Sequence, residues 1–139
     1  PQPPAARRAA AGEPGPALPA ARPGESWNEL NNRAVDLLAQ DGAGLAEFEA
    51  AAALLERCHG AQPEQATFRA NLAEALARWA MAERDRPGVD RAAALARLER
   101  AASLAPERGD LAELIERWRR ELETERDFAS YGSLYFELT

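Results

Sequence analysis

Apolar residues recur at helical spacing through most of this chain. Trp27, Leu30, Ala34 and Leu37 share one face of a first helix, and Ser26 with Glu29 forms a capping box in front of it. Gly42 and Gly44 in the Gln40–Gly44 stretch are expected to end that helix. Leu45, Phe48, Ala52 and Leu55 mark a second helix that ends around Cys58–Pro63. A third starts between Pro63 and Thr67 and carries Phe68, Leu72, Leu76 and Trp79; Pro87 and Gly88 close it. A fourth covers roughly Val89 to Ala105, with Val89, Ala93, Leu98 and Ala101 near one face and Pro106 past its end. Asp110 and Glu113 give a further capping signal, opening a fifth helix with Leu111, Leu114, Ile115, Trp118 and Leu122. Residues 117–126 are then mostly charged and predict a solvated helix surface. Near the C-terminus the period changes. Leu134, Phe136 and Leu138 alternate with Tyr135, Glu137 and Thr139, which is strand periodicity. A lone strand buries little. It either pairs with something outside this chain or begins a following domain, and the second is the expectation.

Residues 1–25 break the helical pattern. Seven of the ten prolines lie there, with three glycines and almost no large apolar residue. Such a segment buries too little surface to offset its ordering entropy and predicts a disordered Pro/Ala-rich linker. The expected organisation is a linker over 1–25, a helical domain over 26–126, and a linker and strand over 127–139. The chain begins at Pro1 rather than a methionine, as a processed product or a fragment would.

Charge refines the picture modestly. The formal net charge is -6, which argues against a nucleic-acid partner. Residues 65–106 are the exception, with seven arginines against five acids. All 17 basic residues are arginine, which alongside the abundant alanine reads as codon bias rather than a phosphate-binding signal. No apolar run approaches membrane-spanning length, so membrane insertion is not expected.

Two stretches forty-three positions apart share one skeleton: Phe48, Ala51, Leu55, Cys58 and Pro63, then Arg91, Ala94, Leu98, Ala101 and Pro106. This resembles the second-helix signature of the tetratricopeptide family. Asn71–Leu76 (Asn-Leu-Ala-Glu-Ala-Leu) resembles its first-helix signature, which Asn32–Leu37 matches less well. The resemblance covers about residues 27–122 and implies an all-α fold. In it, antiparallel helix pairs stack as a short right-handed solenoid of about five helices. A plain alanine-rich helical bundle is the alternative. The family also implies that the first helix of each pair lines a concave face holding a partner's segment. Aligning Asn32 with Asn71 assigns Asn28, Asn31, Asn32, Thr67, Asn71, Glu74 and Arg78 to that face. Amides can satisfy the backbone of an extended peptide, and a guanidinium can fork onto a carboxylate. The expectation is a non-catalytic scaffold with a protein or peptide partner and no cofactor. A second, weaker resemblance is to the helical lead of exported bacterial proteins with a downstream gluzincin-type zinc peptidase domain. It rests on the proline-rich lead, the charged run over 118–128 and the apolar strand, and would make this chain a positioning module; the linker-like start leans towards the bacterial envelope.

Enzyme chemistry finds little support in the residues. His59 is the single histidine, and it has no second ligand cluster at metal spacing. Cys58 and His59 are adjacent on a helix and point apart, which does not suit a catalytic pair. Cys58 reads as a small packing residue. Glu47, Glu49, Glu116, Glu121, Glu123 and Glu125 read as solvated faces. Trp27, Trp79 and Trp118 all fall on their helix stripes and read as core or inter-helix packing residues; Trp118 has no obvious outer neighbour, and packing on a following domain is its alternative.

Overall fold

The computed structural model describes the backbone of residues 22–138 and the side chains of residues 22–129. It contains five helices: α1 (Trp27–Ala39), α2 (Leu45–Ala61), α3 (Ala66–Arg84), α4 (Arg91–Leu104) and α5 (Gly109–Leu138). There is no strand among the described residues. Each helix packs mainly on the next in sequence, and α1 also touches α3.

Contacts between side chains set the directions. Asn31 meets Asn71, and the Leu38 carbonyl meets Arg78, at the same sequence separation of 40. A constant separation means that α1 and α3 run parallel. Glu74 meets Arg108, and further along Arg84 meets Glu121, so α3 and α5 also run parallel. Arg91 pairs with Glu125, and Glu99 with Arg119, which makes α4 and α5 antiparallel.

Helix ends follow local chemistry. The Ser26 hydroxyl accepts from Glu29 N–H at 3.1 Å while the Glu29 carboxylate accepts from Ser26 N–H at 3.1 Å, completing the expected capping box. Asp90 caps α4 by accepting from Ala92 and Ala93 N–H, a cap the hydrophobic pattern did not single out. Glu47 is not simply a solvated acid: its carboxylate accepts from Gly44 N–H at 2.8 Å at the start of α2. Asp110 lies inside the first turn of α5 rather than at its cap, and the Arg108 guanidinium donates to its carboxylate at 2.8 Å. Gly42 and Gly88 have φ of 73° and 74°, the left-handed region that a side chain disfavours, which explains the glycines in these two turns.

Two helix ends match closely. Gln62 after α2 has φ -137 and ψ 72, and Ala105 after α4 has φ -134 and ψ 68. Each donates its N–H to the carbonyl four residues back, Cys58 or Ala101. Pro63 and Pro106 follow at the second position of a turn, where their locked φ is suited. Burial agrees at the same forty-three-residue offset. Ala51 and Ala94, Ala52 and Leu95, Leu55 and Leu98, and Cys58 and Ala101 are all buried. Phe68 and Leu111, Leu72 and Ile115, and Ala75 and Trp118 agree as well. The match then stops on one side of the helix. Ala73, Leu76, Ala77 and Ala80 of α3 are buried, while their counterparts Glu116, Arg119, Arg120 and Glu123 of α5 are exposed. Helix α3 is covered on two sides and α5 on one.

Trp118 packs as its stripe indicated: it is 4% exposed, in the core with the Arg84 guanidinium 4.7 Å from its ring centroid. Two expectations are corrected. Glu121 and Glu125 are not merely solvated, since they pair with Arg84 and Arg91 across helices. The C-terminal strand is absent, and α5 runs through the 126/127 boundary to Leu138. No proline interrupts this stretch, and the lone Gly132 costs only about 1 kcal/mol in a helix. Extending a formed helix adds a hydrogen bond per residue, whereas a lone strand finds no edge to pair with. Most of the expected N-terminal linker, residues 1–21, lies outside the described residues. Its last part is a turn in which Glu25 N–H donates to the Arg22 carbonyl and Arg33 reaches the Glu25 carboxylate at 2.8 Å.

Candidate functional site

The parallel helices α1, α3 and α5 place a run of polar side chains side by side. Asn31 is 7% exposed, a polar residue inside an otherwise apolar helix interface. Its Oδ1 accepts from Asn71 Nδ2 at 3.0 Å, so neither amide is left without a partner. One turn and more further along, Arg78 Nη1 donates to the Leu38 carbonyl at 2.9 Å. Leu38 lies in the last turn of α1, where carbonyls lack helical donors, so Arg78 satisfies a group the helix cannot. Glu74 sits between two guanidiniums, with Arg78 Nε at 2.6 Å and Arg108 Nη1 at 2.6 Å. Arg108 reaches Glu74 from the α4–α5 turn, so one carboxylate joins the α1–α3 contact to the start of α5.

Burial works to raise the Glu74 carboxyl, and the Arg108 and Arg78 guanidiniums together overcome it, holding it below the usual carboxylate range. The Arg108 guanidinium, bound by Asp110 and Glu74, is held above its ordinary value. The sign of the linkage follows. A carboxyl with a depressed folded pKa contributes stability at pH above its unfolded value, about 4.3. That contribution is lost as pH falls through the lower folded value. Acid titration of stability should therefore show a steeper loss below about pH 4 in the wild type than in Glu74→Gln, which lacks the titrating group. Equal acid slopes in the two proteins would show that Glu74 is not held by these arginines.

Of the seven residues the sequence assigned to a concave face, the structure pairs Asn31 with Asn71 and, in a separate group, Glu74 with Arg78. It leaves Asn28, Asn32 and Thr67 exposed. Asn71 bonds to Asn31, not to its aligned counterpart Asn32. Arg108 was missed because it lies in a turn rather than on a helix stripe. Its position two residues before Asp110 and thirty-four after Glu74 has meaning only once the helices are stacked.

Elsewhere the chemistry is quiet. Cys58 is fully buried; its thiol donates to the Trp27 carbonyl at 3.4 Å, and burial pushes its pKa up, away from the reactive thiolate. His59 lies in the last turn of α2 with Nδ1 buried and without a hydrogen-bond partner. Among the described residues, no three His, Cys, Asp or Glu side chains gather as metal ligands would, and no helix is long and apolar enough to cross a membrane.

Compared with models of protein families, with curated proteins and with solved structures, the chain finds no significant match. The functional reading therefore stands on the residues and their geometry.

Proposed function

We propose that this chain is a non-catalytic scaffold built as a short tetratricopeptide-like solenoid, and that it binds a protein segment along the face shared by α1, α3 and α5. The observation that carries the reading is the parallel alignment of α1, α3 and α5 with amide, hydroxyl and guanidinium groups along one side. The matched ends of α2 and α4, and the burial that repeats every forty-three residues, support a repeat. The charged outer side of α5 supports its role as the closing helix of the stack, since terminal repeats need a polar outer face. The resemblance to a peptidase-associated module rested partly on a C-terminal strand, where the chain is helical to Leu138.

The geometry divides the face into a frame and a contact layer. Asn31, Asn71, Glu74 and Arg78 hold the helices to each other. Removing them would loosen the stack and blur any binding result. Asn28, Asn32 and Thr67 are exposed and available to a ligand. The test selects peptides from a displayed random library against the wild-type protein. Binding is then measured by titration calorimetry to wild type and to Asn28→Ala/Asn32→Ala/Thr67→Ala. Loss of about tenfold or more in affinity, with unchanged helicity, is expected. Selected peptides that bind the triple variant as well as wild type would overturn the assignment.

A further inference from the structure

A second surface lies where the α3–α4 turn meets the flank of α5. Two open depressions share Arg91. One, about 420 Å³, is lined by Arg91, Arg117, Arg120, Glu121, Thr124 and Glu125. The other, about 340 Å³, is formed by the turn itself from Arg84 to Arg91. Most acids of this groove are already engaged. Glu121 pairs with Arg84, Glu125 pairs with Arg91, and Asp90 caps α4. Asp85 is the remaining one. Three exposed guanidiniums, those of Arg86, Arg117 and Arg120, pair with no acid among the described residues. The result is a local surplus of positive charge on a chain whose formal net charge is -6.

We propose that this groove binds an acidic peptide segment, one carrying about two or three closely spaced carboxylates to match the unpaired guanidiniums. Arg117 and Arg120 are three residues apart and share a side of α5, so a segment crossing the helix meets both. The paired Arg84 and Arg91 hold the walls in place, so the ligand does not have to order them. Both depressions are open rather than enclosed, which suits an extended segment better than a small anion. The formal net charge of -6 opposes a long phosphate backbone more than a short segment confined to this patch, which disfavours nucleic acid. The proposal stands apart from the α1, α3 and α5 face and does not depend on it.

The test uses fluorescein-labelled hexaglutamate as the probe, titrated by anisotropy with the whole chain. Wild type is expected to bind, with affinity falling as salt is raised from about 50 to about 500 mM. Arg117→Glu/Arg120→Glu is expected to weaken binding at least about tenfold. Arg57→Glu/Arg126→Glu makes the same change in net charge on other surfaces and is expected to weaken it less than about threefold. Circular dichroism checks the fold of each variant. Should the first pair unfold the protein, Arg86→Gln with Arg117→Gln and Arg120→Gln replaces it, with the same direction expected. Equal loss in both charge-reversed pairs, or no binding by wild type, would overturn the proposal. Tighter binding of an oligothymidylate of equal charge would reassign the surface to nucleic acid. Pyrophosphate binding as tightly as hexaglutamate would reassign it to a small-anion site.

Discussion

Leu98→Ala is expected to destabilise the protein by about 2–5 kcal/mol, seen as a lower midpoint in urea denaturation. Leu98 is fully buried in α4, and its counterpart Leu55 is fully buried in α2. Much of the surrounding core is alanine: Ala51, Ala73, Ala77, Ala80, Ala94 and Ala101 are all buried. Alanines let the helix backbones approach closely but contribute little area each, so the few leucines carry a large share of the apolar burial. Val35→Ala serves as the control. Val35 is 38% exposed, so its replacement should change stability by no more than about 0.5 kcal/mol. An unchanged midpoint for Leu98→Ala would mean that α4 does not pack as described.

The second large effect is local. Trp118→Ala is expected to release α5 from the stack, at a cost of about 3–5 kcal/mol for the contacts it makes. Helix α5 is covered on one side only, and Trp118 is its largest buried side chain, with Arg84 over its ring and Glu121 paired to the same arginine. A cation over an indole adds about 0.5–1 kcal/mol at a partly exposed site. Removing the ring therefore loses packing and the seat of Arg84 together. Hydrogen exchange should show protection falling through residues 109–122 while α2 and α3 keep theirs, because a terminal helix can open without its neighbours. Trp118→Phe should retain most of the protection. Loss of protection throughout the chain would show one cooperative unit instead, and full protection of α5 in Trp118→Ala would show that other contacts anchor it.

The helical body was legible because apolar spacing reports helices directly. Four of the five stripes and the Ser26 box appear in the structure at the positions their spacing indicated; in α4 the stripe is displaced, with Val89 before the helix and Ala93 exposed while Ala94 and Leu95 are buried. The candidate face was legible only in part. The polar residues of α1 and α3 could be picked from the resemblance. The split between frame and contact residues could not, because Asn31 and Asn32 look alike in sequence and differ only in which way each faces. Arg108 left no periodic signal at all. Trp118 was legible as a packing residue from its stripe, but only the direction of α5 decided that the stripe closes against this core. The C-terminal strand was misread because alternation over a few residues competes with helix extension, and the outcome depends on whether a strand edge or a formed helix is within reach.

The amino-acid sequence by itself determined the all-helical class, the turns at Gly42 and Gly88, the ends marked by Pro63 and Pro106, and the small and large positions of the core. These depend on dihedral preference, missing donors and side-chain size within a few residues of each other. The tertiary structure alone decided that α1, α3 and α5 run parallel, that Asn31 binds Asn71 and Glu74 binds both Arg78 and Arg108, and that Arg86, Arg117 and Arg120 stay unpaired around one groove. Charge pairing acts over a few ångströms between residues thirty or forty apart in the chain, and only the packed helices bring those residues within that range.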